Sequence, residues 1–243
     1  MVKIICKVDI LAIGAHPDDV EVGAGGLMAK FNQLGLKTAI IDLTAGELAS
    51  NGTPALRSQE AQQAAQILGV VWRSCLGLPD RALAASRANI NALVQMIRES
   101  QPQLILCPYW EDRHPDHVRA AQLIEEAWFD AGLAKIATQG QPHRPPNLWY
   151  YYLSRAGEPK FIIDVGEYYE IKRAAMLAHL SQFGKLAGSK ETFLNCGPGS
   201  LLSLVESRDR YFGSLIGCSF GEGFTTRTPL AINNPSALLG VLK

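Results

Sequence analysis

This sequence predicts an α/β fold: Rossmann-like and doubly wound, with a mostly parallel sheet, helices on both faces and a looser C-terminal segment. Two observations carry that expectation. Short apolar runs alternate with longer helix-like stretches from Val8 to Gly132. The runs are apolar throughout rather than alternating, as expected of strands covered on both faces. With 243 residues, 47% of them hydrophobic, the chain can bury a sizeable core, and a single domain over 1–243 is expected.

Taken in order, "VDILAIGA" reads as the first strand and is followed by a helix near Val20–Leu34. "KTAIIDLTAG" is the second strand. "PALRSQEAQQAAQILG" is a helix with Pro54 suited to its first turn and Gly69 to its end. "VWRSCLGLP" is a short third strand and "ANINALVQMIRESQ" the third helix. "PQLILCPYW" is the fourth strand and "PDHVRAAQLIEEAWFDAG" the fourth helix. Beyond residue 135 the pattern loosens. "TQGQPHRPPN" is a polar loop, "LWYYYLS" and "KFIIDVG" are two more strands, and "EYYEIKRAAMLAHLSQF" is one helix. Residues 184–243, rich in Gly, Ser and Thr, carry no expected element.

Charge and cysteine usage narrow the function classes. Lys+Arg and Asp+Glu both number 23, so there is no basic footprint of a nucleic-acid binder. No apolar run reaches the roughly 18 residues of a membrane span. The opening "MVKIICKVDILAIGA" has an acid in its middle and no signal-peptide layout, and reads as strand. Five scattered cysteines without a C-x-x-C pair fit a reducing cytoplasm.

Ligands of open parallel sheets bind beyond the carboxyl ends of the strands. There the first strand delivers His16, Pro17, Asp18 and Asp19, and the fourth delivers Arg113, His114, Asp116 and His117. Two histidine-plus-acid clusters, far apart in sequence, thus meet at one edge. A divalent metal explains both. Catalytic zinc takes three N/O ligands and keeps one position open. His16 and Asp19 can turn toward one ion across a proline-stiffened turn, and a histidine of the second cluster completes the set. Asp18 remains free as a general base, and the spare histidine can stabilise an oxyanion or protonate a leaving group. The plainer alternatives are that Asp18 or Asp19 caps the first helix, that Asp116 caps the fourth, and that His114 is a surface residue. A non-enzymatic binding module would follow from them. Gly23, Gly25 and Gly26 do not fit G-x-G-x-x-G and read as close packing.

"AHPDD" followed about 100 residues later by "HPDH" resembles the zinc-dependent N-acetylglucosamine deacetylases of the LmbE and PIG-L type. The resemblance implies one Zn²⁺ per chain, or another divalent metal, held by His16, Asp19 and His117. It implies Asp18 as general base, His114 as a non-ligating histidine acting as imidazolium, and Asp116 as the acid supporting His114. "AHLSQFG" and "SLIGCSFGEGFTTRTPL" resemble the bacillithiol-biosynthesis branch, which deacetylates N-acetylglucosaminyl malate. That branch implies a cytoplasmic enzyme acting on a small sugar amide, assembled as a homo-oligomer, often a hexamer, with no nucleic-acid or membrane partner. Arg57 falls where it is expected to grip the substrate's carboxylate; on its own it reads equally as a surface partner of Glu60. Arg113 is a site residue by position or a plain loop cation. His179, among Met176, Leu177 and Leu180, reads as a satisfied, partly buried histidine. Inositol-linked, chitobiose-type and thiol-conjugate substrates stay open.

Overall fold

In the computed structural model, which describes residues 6–230, strands alternate with helices along the first half of the chain as expected. The elements are β1 (Ile10–Gly14), α1 (Asp19–Gln33), β2 (Thr38–Thr44), α2 (Pro54–Leu68), β3 (Trp72–Leu78), α3 (Arg87–Ser100), β4 (Leu104–Pro108) and α4 (Pro115–Ala131). Then come β5 (Asn147–Tyr151), β6 (Phe161–Asp164), a 3₁₀ turn (Gly166–Tyr168), α5 (Tyr169–Ala178), α6 (Leu180–Phe183), α7 (Leu201–Leu215) and β7 (Gly221–Thr225). The strand reading of residues 1–5, and the loose reading of 231–243, lie outside the described residues. No helix among the described residues is long and apolar enough to cross a membrane.

The sheet runs β3-β2-β1-β4-β5-β7-β6. The first five strands are parallel, and β7 is antiparallel to both β5 and β6. Successive strand residues feed opposite faces. Leu11, Ile13, Ile105 and Tyr150 pack under α3 and α4. Ile10, Ala12, Leu106 and Tyr151 pack under α1, α2, α5 and α7. Residues of period two buried on both sides explain why the strands read as unbroken apolar runs.

Two expectations are corrected here. The C-terminal segment is not loose: α7 and β7 lie in it, and β7 fills the space between β5 and β6. Its "GEGFT" looks like a turn because of its glycines, yet a Cβ at Gly223 would sit 2.7 Å from the Phe212 ring, so the small residue is a packing demand. The helix expected over 167–183 breaks at His179, whose ψ of 62° is non-helical. The break lets the Ser181 amide and hydroxyl donate to Glu60 instead, each at 2.6 Å.

Helix α1 explains the glycine run. A Cβ at Gly23 would come within 2.0 Å of the Tyr151 ring. Ala24 leaves the helical region (φ −145°, ψ 15°), and the freed amides of Gly26 and Leu27 donate to the Glu222 carboxylate at 2.9 and 2.8 Å. Glu222 thus acts as an internal N-terminal cap supplied by β7. Lys172, fully buried, balances it at 2.7 Å and reaches Asp209 at 2.6 Å. Breaking one partner of such a buried network strands the other charge. Glu222→Ala is therefore expected to destabilise the fold by about 3–5 kcal/mol. Denaturant unfolding followed by circular dichroism checks this, and an unchanged midpoint would refute it.

Candidate active site and metal centre

The candidate residues lie at the carboxyl ends of β1, β2 and β4, on the loops there and in the first turns of the helices that follow. The strand order reverses between β1 and β4, so the loops after these two strands diverge and leave a crevice between them. A cavity of about 280 Å³ occupies it.

The first loop is shaped by Asp19. As the first residue of α1, it turns Oδ2 back to accept the amides of Ala15 (2.8 Å) and His16 (3.0 Å). Its Oδ1 lies 3.2 Å from His117 Nε2, and its Oδ2 lies 3.6 Å from His16 Nδ1. Asp18 stands at φ 148°, a region that L residues rarely adopt, and its side chain caps nothing. It faces the cavity instead. Such backbone costs on the order of 1–3 kcal/mol and persists only where its surroundings enforce it. The helix-cap reading of both aspartates is thereby set aside.

Arg57 is buried and has no contact with Glu60; that acid is taken by Ser181. Its Nη1 donates to the Gly46 carbonyl (3.1 Å), and its Nη2 to the Pro17 carbonyl (3.0 Å) and Asp18 Oδ2 (3.3 Å). Gly46 is required for this: at φ +62°, its Cβ would fall 1.7 Å from Arg57 Nη1. Rather than presenting a free fork, Arg57 holds the Asp18 carboxylate in place at the cavity wall. Arg113 is exposed, lines the cavity, and stacks over the Phe193 ring at 3.8 Å.

The three imidazoles form a cluster, with His114 centred 4.8 Å from His16 and 4.9 Å from His117. Each offers one nitrogen within 4.8 Å of the others. Their hydrogen bonds tell them apart. His114 is the N-cap of α4, and its Nδ1 accepts the Asp116 amide at 3.2 Å. With that lone pair used, a neutral His114 ring carries its proton on Nε2, as a donor toward the cavity. Burial and the neighbouring His117 and His16 lower its pKa to about 4, which favours the neutral ring where the resemblance implies an imidazolium.

Asp116 also differs from expectation. Its backbone amide meets the His114 ring, but its carboxylate neither caps α4 nor reaches that ring. Its Oδ2 accepts the Arg81 amide (2.7 Å) and lies 3.7 Å from His16 Nε2; its Oδ1 takes Arg119 at 3.2 Å. Two acids went unnoticed in the sequence. Asp80 places Oδ1 at 3.3 Å from His16 Nε2, and Asp112 places Oδ1 at 2.8 Å from His117 Nδ1. Asp80, in "LPDRA" just after β3, was reachable by the same strand-end rule; Asp112 stands shortly before His117 in "EDRHPDH". His179 is fully buried at the α5–α6 junction, and neither ring nitrogen makes a hydrogen bond, although Nε2 lies 3.3 Å from Glu21 Oε1.

The donor set suits a divalent ion. In a tetrahedral site with bonds of about 2.0 Å, ligand atoms are about 3.3 Å apart. Asp19 meets the two imidazoles through different oxygens, Oδ1 at 3.2 Å from His117 and Oδ2 at 3.6 Å from His16, while the nitrogens of His16, His114 and His117, and the donor atoms of His16, Asp80 and Asp116, each gather within 4.8 Å. Asp19 and the two imidazoles favour one another's charged forms. Burial pushes the Asp19 pKa up, but His117 and His16 outweigh it and hold the carboxyl well below the usual range. For His117 burial acts downward, and Asp19 and Asp112 outweigh it to raise the ring to about 9.

Behind the site, Arg73 clamps Asp42 at 2.7 and 2.8 Å and donates to Glu21 Oε1 at 2.5 Å. Burial pushes the Glu21 carboxyl up, yet Arg73 brings it from 4.5 down to about 2. A carboxyl depressed in the folded state contributes stability that is fully present above its unfolded value and is lost as pH falls through the folded one. Part of the fall in unfolding free energy between pH 4.5 and 2 is therefore assigned to Glu21. Glu21→Gln is expected to flatten that slope in urea titrations at stepped pH; an identical slope would remove the assignment.

Comparison with known proteins gives the family. Residues 11–128 match the family model "PIG-L: GlcNAc-PI de-N-acetylase". The chain is 30% identical over 233 residues to the diacetylchitobiose deacetylase of Thermococcus kodakarensis, covering 88% of this chain and 81% of that one. It is 27% identical over 194 residues to a probable N-acetyl-alpha-D-glucosaminyl L-malate deacetylase 2 of Bacillus anthracis, covering 72% and 81%. The crystal structure of the conserved protein TT1542 from Thermus thermophilus superposes with a TM-score of 0.84 at 35% identity, covering 93% of this chain and 97% of that one.

Proposed function

The chain belongs to the PIG-L family of de-N-acetylases, and on that premise we propose that it hydrolyses the acetamide of an N-acetylglucosamine conjugate with one divalent metal ion. The observation that carries the reading is the meeting of His16, Asp19 and His117 beside a free carboxylate, Asp18, and a neutral donor, His114, on one cavity. His16, Asp19 and His117 would hold the ion, and the mixed N/O set favours zinc. When bound, such an ion supplies Lewis acidity, making a water more acidic and polarising a carbonyl.

The chain's own groups do the rest. Asp18 accepts the proton of the attacking water. Burial raises its pKa above the ordinary carboxylate range, which makes it a stronger base, and Arg57 limits the rise and fixes its aim. The Nε2–H of His114 donates to the acetyl oxygen as that atom gains negative charge. When the C–N bond breaks, Asp18 returns its proton to the leaving nitrogen. The products are acetate and the free amine. Asp18→Asn is expected to lower kcat by about 10²–10⁴-fold, and His114→Ala by about 10²–10³-fold, both with metal content near that of the wild type by mass spectrometry. Full turnover by either variant with metal bound would overturn its role.

For the aglycone, the malate conjugate is the reading that the cavity favours. Arg113 and Arg81 both line it and keep exposed side chains. This substrate would place the enzyme in cytoplasmic bacillithiol biosynthesis. Diacetylchitobiose is the second reading, favoured by the 30% identity over most of the chain. Amine release from N-acetylglucosaminyl malate, diacetylchitobiose and N-acetylglucosamine separates them. The expected result is a kcat/KM for the malate conjugate at least about tenfold above the others, a margin of one lost ionic contact, narrowed in Arg113→Ala. Preference for chitobiose would discard the aglycone and keep the deacetylase. No amine release from any, with zinc supplied, would discard the enzyme reading.

A further inference from the structure

The two imidazoles assigned to the metal each have one nitrogen facing Asp19 and one facing outward. A neutral imidazole carries a single proton, so a ligating nitrogen is bare only if the other nitrogen holds that proton. Something must keep it there. For His117 the outward nitrogen is Nδ1, and Asp112 Oδ1 lies 2.8 Å away. Asp112 is built for this. Its Oδ1 also accepts the His114 amide at 2.9 Å, and its Oδ2 accepts the amides of Ser154 and Arg155 at 3.0 and 3.1 Å. Its side chain is 2% exposed. Three backbone amides and the His117 Nδ1 therefore converge on one buried carboxylate, which leaves it no freedom to turn away from the His117 ring. His16 follows the same pattern, with Asp80 and Asp116 at its outward Nε2. His114 reverses it, since a backbone amide faces its Nδ1 and puts the proton on the cavity side.

We propose that Asp112 is a positioning residue: it holds the His117 proton on Nδ1 and the ring in place, so that Nε2 stays bare toward Asp19. This rests on the metal assignment made above. Outer carboxylates of this kind typically carry 10–100-fold in metal affinity. The amide of Asn at this position would set its two N–H donors against either the His117 and His114 donors or the Ser154 and Arg155 donors.

The test is zinc affinity, measured on chelator-stripped full-length protein by competition with a chromophoric chelator, in the wild type, Asp112→Asn, His117→Ala and the double variant. The expected result is a zinc affinity about 10–100-fold weaker in Asp112→Asn, with little further loss when that change is added to His117→Ala, as two residues acting through one ligand require. Wild-type affinity in Asp112→Asn overturns the proposal. So does an equal loss in the His117→Ala background, because Asp112 would then act through the Ser154–Arg155 loop. No zinc uptake by the wild type overturns the metal assignment and this inference together, which separates that failure from the other two. Should Asp112→Asn fail to fold, nitrogen-15 NMR of the zinc-loaded wild type decides the matter. A slowly exchanging Nδ1–H on His117 supports it; a proton on Nε2 overturns it.

Discussion

The candidate site depends on the Asp19 carboxylate. One oxygen closes the turn after β1 by taking two backbone amides, and the other stands opposite His117. The same group therefore terminates a strand, starts a helix and presents a charge to the second cluster. Two amides on one oxygen, plus the N-terminus of α1, favour the ionised form, so a carboxylate can be buried here without a formal cation at the next residue. Asp18 is the by-product of that geometry. Once Asp19 turns back, its predecessor is forced to φ 148° with its side chain directed into the cavity. The strain sits at the residue proposed to move the proton, and the turn around it holds the strain in place.

What keeps that turn still is charge buried well behind it. Helix α1 enters under the site, breaks at Ala24, and is restarted by Glu222 from β7, with Lys172 and Asp209 as counter-charges. Arg208 adds bonds to the carbonyls of Tyr152, Leu153 and Val22, joining α7 to the cavity walls formed by Val22 and Leu153. Buried ionic networks contribute little net stability compared with an apolar core, but they tolerate few alternative arrangements. In this molecule they link the late elements α7 and β7 to the first helix, so residues near 220 help set the position of residues near 20.

That long-range dependence marks the limit of what was legible in the sequence. The first four βα units could be read because each strand is apolar on both faces and each helix carries local stop signals. Gly69, for one, caps α2 in the left-handed conformation as expected. The pairing of "AHPDD" with "HPDH" was legible because both motifs end strands of one parallel sheet. Element β7 was not, since Gly221 and Gly223 look like a turn until Phe212 and Ile162 are in place beside them. The break at His179 depends on Glu60, 121 residues from its partner Ser181. The resemblance and its place near the strand edge led to Arg57 as a grip for a substrate carboxylate, whereas its burial and its hold on Asp18 follow from Gly46, which only the folded loop brings near. The resemblance implied that Asp116 supports His114; its carboxylate instead faces His16 across the cluster.

Three histidines with ring centres 4.8 to 5.5 Å apart would be a poor device if they were alike. Three protonated rings would repel each other, and three bare ones would leave no donor for a developing oxyanion. The structure distinguishes them by what meets the nitrogen turned away from the reaction. A carboxylate there draws the proton outward and leaves a lone pair inside, whereas a backbone amide there takes the lone pair and leaves a proton inside. His114 is consequently a donor without being a cation. A second cation in such a cluster would have its affinity for a proton lowered by the first, as the pKa near 4 indicates for His114 beside His117 and His16. The acid–base division at this site is thus written in hydrogen bonds one layer out from the reacting groups, with a backbone amide and the carboxylate of Asp112 assigning opposite roles to two rings of the same helix turn.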